Sequence, residues 1–216
     1  MLVMKFGGAA VKNADAVRNV GRIVLRYGER TPVVVVSAMD KTTNALEELA
    51  ASAVAGQADA ALHRWRRIRE FHLQTVGELF DDNRAAATQE IEALLSELKR
   101  IVEGLLLLGD SPPRIFDRVM AFGELLSSTI VFRHLCEILP SVEMVNAGKI
   151  ILTDATYKGA EVLRKLTEEA IRATLKPLSQ KIVVTQGYIA ATPDGRVTTL
   201  GREGSDYTAA LLAHAL

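Results

Sequence analysis

The 216-residue chain balances 26 basic against 26 acidic residues, so no net field draws it toward nucleic acid or an anionic membrane, and a small-molecule ligand is the expected partner. Its length and 49% hydrophobic content allow a real buried core in one large domain. The one cysteine, Cys136, excludes an internal disulfide and fits a reducing cytoplasm, and its apolar surroundings read as packing.

Leu2 to Phe6 reads as a buried strand, too short an apolar run for a signal segment or a membrane span. Gly7-Gly8 marks a sharp turn. From Asp15 to Tyr27, apolar residues recur at Val17, Val20, Ile23, Val24 and Tyr27, which is helical spacing. Pro32 then introduces VVVV, an unbroken β-branched run of the kind found in a parallel strand covered on both faces. Strand, helix, strand makes a βαβ unit whose first and second loops emerge at the same sheet edge, where ligands bind.

The loop SAMDKTT leads into a helix from about Asn44 to Ala55. Two long helices are predicted next. The first carries Leu62, Trp65, Ile68, His72, Val76 and Leu79 on one face, and the second carries Ile91, Leu94, Leu98, Ile101, Leu105 and Leu108. Alternating steps of three and four predict antiparallel packing of the pair, a helical insertion over about 56–110. His72 and Trp65 read as core, and the basic cluster from His63 to Arg67 as a solvated face. Ser111 and Pro112 read as the cap and first turn of a helix running to about Leu139, apolar nearly all round and therefore buried. Glu124 stands at its centre with Met120 and Ser128 four residues away, so no cation of its own helix can neutralise it. A buried carboxylate needs a partner, either an arginine from elsewhere or a cationic ligand such as an α-ammonium group. Gly123 beside it allows something to approach the backbone closely.

Val142–Val145 and Ile150–Leu152 are predicted as short strands, Glu161–Leu175 as a helix, Ile182–Thr185 as a buried strand, and Ile189–Leu200 as a hairpin about Pro193-Asp194-Gly195. The order of elements is α/β. The chain closes on TTLGREGSD before an apolar helical run. With Ser205 as N-cap, that stretch would present free N–H groups and a positive dipole end to an anion, and Arg202 adds a planar donor fork for a carboxylate or phosphate.

The blocks KFGGAAV, VVVVSAMDKTTNAL, FGELLSS and TQGYIAATPDGRVTTLGREGSDYTAALLAHAL occur in the order and at separations that resemble aspartate kinases, and the resemblance runs from end to end. It implies the amino-acid-kinase fold, an α/β/α sandwich with a mainly parallel central sheet, binding an acidic amino acid at one half and ATP at the other. By that resemblance Lys5 would reach the transferred phosphoryl group, and the N–H groups about Gly7, Gly8 and Gly204 would meet the phosphates. Ser37 and Thr43 would place hydroxyls near the amino acid, and Glu124 would bind its ammonium. Arg202 would grip a carboxylate, Ser205 would line the same pocket, and Asp206 would position Lys5. Tyr157 matches an aromatic position only loosely. The implied reaction is Mg-ATP-dependent phosphorylation of L-aspartate on its β-carboxylate, in the cytoplasm, with no protein-bound metal cluster. The alternatives are a non-catalytic amino-acid-binding module and a kinase acting on glutamate or N-acetylglutamate. A free ammonium opposite Glu124 argues against the acetylated substrate.

Three departures from the family pattern stand out. Ala9 and Ala10 replace hydroxyls in the first loop, and Asp40 replaces a glycine, bringing negative charge toward an anionic substrate. The chain also closes just after the signature helix, so residues 1–216 are expected to form the aspartate-binding half. The remaining nucleotide-binding segment and the paired ACT domains would lie outside it. Helical faces left bare by such a division would favour a homodimer.

Overall fold

A computed structural model describes residues 1–216. Its centre is a four-stranded, wholly parallel sheet in the order β1-β2-β4-β3, from β1 (Val3–Phe6), β2 (Val33–Val36), β3 (Val142–Val145) and β4 (Ile182–Gln186). The inner strands β2 and β4 are buried along their whole length, as their unbroken apolar sequences require. Val33 pairs with Val3 on one side and Val183 on the other, so the registers place the C-terminal ends of β1, β2 and β4 at one edge.

Side chains alternate between the sheet's faces and build two cores. Val34, Val36, Ile182 and Val184 join α1 (Ala14–Arg26), α2 (Thr42–Val54), α3 (Ala58–Leu79), α4 (Arg84–Leu108) and α5 (Pro113–Ile138). Val33, Val35 and Val183 pack instead with α6 (Arg164–Leu175) and α7 (Gly204–Ala215). The result is the expected α/β/α sandwich. A separate antiparallel pair, β5 (Ile189–Ala191) with β6 (Val197–Thr199), forms the predicted hairpin and turns through Gly195 at φ 85°. No helix is long and apolar enough to cross a membrane.

Helices α3 and α4 lie against α2 and α5, and their apolar faces belong to the same core as the sheet. The Trp65 indole donates to the Leu95 carbonyl at 3.0 Å, and Arg69 pairs with Glu92. His72 is fully buried, with Nδ1 2.7 Å from the Ile68 carbonyl, and burial pushes its pKa down to about 4. The buried stripe of α4 is rotated from the predicted one. Leu95 and Val102 are inside, Leu94 and Ile101 are half-buried, and Leu108 is exposed because the last turn outruns the core.

Four other expectations need correction. Ile150–Leu152 is not a strand: Leu152 and Thr153 make only isolated bridges, to Ala191 and Val162, and the Leu152 N–H donates to the Thr167 hydroxyl at 3.0 Å. Helix α6 starts at Arg164, since Glu161 and Val162 are tied to the preceding loop through Asp154 and Thr153. Ser111 does not cap α5. Pro112, itself before a proline, is extended and stands at the N-cap, leaving Pro113 as the first helical residue. Cys136 is exposed, on the outward side of a turn whose neighbour Leu135 stays in the core.

Candidate functional site

Loops from the C-terminal ends of β1, β2 and β4, the β6–α7 turn and the start of α2 enclose a cleft of about 480 Å³. Into it come Lys5 from β1, Ser37 from just beyond β2, Thr43 from the first turn of α2, and Glu124 from the middle of α5. Arg202, Gly204, Ser205 and Asp206 complete the wall at the start of α7. Eight of the ten predicted site residues therefore share one cleft. Gly7 and Gly8 lie beside it, in a tight turn over Gly8–Val11. A methyl on Gly7 would sit 3.3 Å from Lys5 Nζ, and one on Gly8 would sit 2.8 Å from the Ala38 carbonyl oxygen, so the first and second loops touch only because Gly8 is bare.

Glu124 is 4% exposed. Its Oε1 accepts the Ala38 N–H at 3.0 Å and its Oε2 has no hydrogen-bond partner. No arginine reaches it, which settles one alternative left by the sequence. Burial raises its carboxyl to a pKa of about 8, against the smaller opposing pull of the Ala38 N–H. The neighbouring Gly123 explains how Ala38 comes so near: a methyl there would lie 2.8 Å from Ala38 Cβ.

Lys5 Nζ is 3.0 Å from Asp206 Oδ2, and the lysine side chain is 26% exposed. Asp206 lies in the first turn of α7, where its carboxylate also meets the positive end of the helix dipole. Ser205 is not the N-cap of that helix. Glu203 holds the position in a left-handed conformation, φ 56°, and α7 begins at Gly204. Ser205 packs so closely on Gly187 that a methyl on that glycine would fall 2.4 Å from the serine hydroxyl.

Six cleft residues are not among the predicted site residues: Glu47, Phe116, Lys158, Tyr188, Gly201 and Glu203. Glu47 was within reach, one turn beyond Thr43 on α2. Lys158, Tyr188 and Glu203 share a left-handed backbone that non-glycine residues adopt rarely, with φ of 63°, 63° and 56°. Behind them lies Asp117, fully buried on α5, which accepts the Lys158 N–H at 3.0 and 3.1 Å and the Thr199 N–H at 2.8 Å. Burial raises its carboxyl above the usual range and these donors pull it back. Tyr157 lies outside the cleft wall. Asp40 adopts φ 45°, a conformation that suits glycine or aspartate, and it faces a different groove with Lys41 and Arg64 instead of the Glu124 cleft. Ala9 and Ala10 are exposed.

The sequence matches the amino acid kinase family over residues 1–216. The chain belongs to that family. Lysine-sensitive aspartokinase 3 of Escherichia coli K12 is 34% identical over 217 residues, covering 100% of this chain and 46% of the relative. Chloroplastic aspartokinase 1 of Arabidopsis thaliana is 32% identical over 224 residues, covering 99% of this chain and 38% of the relative. The crystal structure of E. coli aspartokinase III with aspartate and ADP superposes with a TM-score of 0.88 at 31% identity, covering 100% of this chain and 46% of that one. Its complex with lysine and aspartate superposes equally, at 30% identity, covering 100% of this chain and 47% of that one. This member of the amino acid kinase family is thus aspartokinase-like and spans less than half the length of these relatives.

Proposed function

We propose that the chain is the amino-acid-binding half of an aspartate kinase, which transfers a phosphoryl group from Mg-ATP to the β-carboxylate of L-aspartate and so opens the route to lysine, threonine and methionine. The observation that carries this reading is Glu124, a buried carboxylate in the cleft with one oxygen unsatisfied and no internal cation. An α-ammonium group is the partner it lacks, and an N-acetylated amino acid could not supply one. Arg202 offers a fork to a carboxylate. Ser37, Thr43 and Ser205 line the same cleft with hydroxyls.

ATP would supply the phosphoryl group and carry the Mg²⁺. The half-exposed Lys5, oriented by Asp206 at 3.0 Å with Gly7 against its ammonium, fits the terminal phosphate, and the start of α7 at Gly204 adds N–H groups. The β-carboxylate is ionised at neutral pH, so one of its oxygens can attack phosphorus as ADP leaves without losing a proton. The chain's task is then alignment and neutralisation of charge on the transferred group, a role this reading gives to Lys5. The adenine-binding portion is assigned in this reading to sequence beyond these 216 residues. The exposed Leu107 and Leu108 offer apolar surface for the cytoplasmic homodimer expected of it.

Calorimetric titration with L-aspartate, with and without Mg-ATP, tests the site. Binding by the wild-type chain and a loss of roughly 2–4 kcal/mol in both Glu124→Ala and Arg202→Ala is expected. Undiminished affinity in either variant would remove that residue from the site. Preference for glutamate over aspartate would shift the assignment to a glutamate kinase. Aspartate binding without acyl-phosphate formation in the longer protein would favour the non-catalytic module.

A further inference from the structure

Two loops meet at one wall of the cleft and bring two cations with them. Residues 154–160 and 199–204 touch through glycines: a methyl on Gly201 would lie 3.1 Å from Gly159 Cα, and the two have φ of 73° and 120°. The Gly159 and Ala160 N–H groups donate to the Thr199 carbonyl at 3.1 and 2.8 Å. Asp117 fastens both loops to α5, since the same carboxylate accepts the N–H groups of Lys158 and Thr199. Lys158 and Arg202 are therefore carried by a single clamped unit, and both line the cleft.

Successive residues of α5 hold the two ends of Lys158. Asp117 fixes its backbone in the left-handed conformation, while its ammonium rests 4.5 Å from the ring centroid of Phe116, itself part of the cleft wall. Neither Lys158 nor Arg202 enters any ion pair of the chain. Lys5, the third cation of the cleft, differs because Asp206 neutralises it. A lysine in a strained backbone conformation, parked on an aromatic face beside an unpaired arginine, is a cation held for an anion from outside.

We propose that Lys158 is a specificity-determining residue that shares with Arg202 one carboxylate of the amino-acid substrate. The inference rests on the amino-acid site assigned above and adds a second cation to the end of it that meets a substrate carboxylate. The guanidinium fork sets the orientation of the carboxylate, and the lysine adds a point charge on a flexible stem.

The test is calorimetric titration of the chain with L-aspartate, L-asparagine and L-isoasparagine, the last two each lacking one of the two carboxylate charges. Lys158→Met should weaken aspartate five- to tenfold and Lys158→Arg should stay within twofold of wild type, with unchanged melting temperatures because the side chain is exposed. Whichever amide becomes insensitive to Arg202→Met should also become insensitive to Lys158→Met, because both cations address the same group. Wild-type affinity for aspartate in Lys158→Met, or a loss that persists on the amide Arg202 ignores, overturns the proposal. These outcomes are separable from failure of the site itself, in which wild type would not bind aspartate or Glu124→Gln would bind it undiminished.

Discussion

Asp117 and Glu124 stand two turns apart on α5, both buried, and the fold treats them in opposite ways. Asp117 has both oxygens hydrogen-bonded to backbone N–H groups from two loops, whereas Glu124 has one such donor and an oxygen with none. A carboxylate of the first kind organises the cleft. One of the second kind is an energetic cost to the folded chain, and the ammonium of the proposed substrate would relieve it.

The contrast predicts first a large dependence of stability on pH. Glu124 is held at a pKa of about 8 against an ordinary 4.5, so the folded state keeps a proton that the unfolded state releases. Stability supplied by that proton is fully present below the lower value and is lost as pH climbs through the higher one, by roughly 5 kcal/mol in all. Glu124→Gln should flatten this part of the stability profile and raise the melting temperature of the ligand-free chain above pH 8. An unchanged slope in urea titrations across that range would show that Glu124 is already ionised and paired.

Asp117→Ala should behave in the opposite sense, costing about 2–3 kcal/mol because two buried N–H groups lose their acceptor, and weakening aspartate as the Lys158 and Arg202 loops loosen. Chemical denaturation beside an aspartate titration checks both. A variant with full stability would put Asp117 outside the framework. The smallest effect is expected at Lys5. Its ion pair with Asp206 is partly exposed, with side chains 26% and 64% accessible, so Lys5→Ala should cost under about 1 kcal/mol of stability. Aspartate affinity should stay nearly intact, while turnover in a complete kinase is lost; a large fall in affinity would mean that Lys5 holds the amino acid.

Glu124 was legible in the sequence because its helix is apolar around it and offers no cation one turn away. Asp117 was not, since its partners are backbone N–H groups 41 and 82 residues distant, which leave no pattern in side-chain types. Lys158 and Tyr188 carry no sequence signal for a related reason, as left-handed backbone is set by tertiary contacts when the residue is not glycine. The parallel core announced itself through VVVV and IVVT, where composition and burial coincide. The helix starts at Ser111 and Ser205 misled because capping preference is weaker than proline sterics in one case and the close packing against Gly187 in the other.

The most direct test of the account is the proton balance of aspartate binding, measured calorimetrically at pH 7 in buffers of different ionisation enthalpy. If the substrate ammonium pairs with Glu124, the wild-type chain should release about one proton per aspartate bound, and Glu124→Gln should neither bind tightly nor release one. Tight binding with no proton released would contradict the pairing on which the site assignment rests.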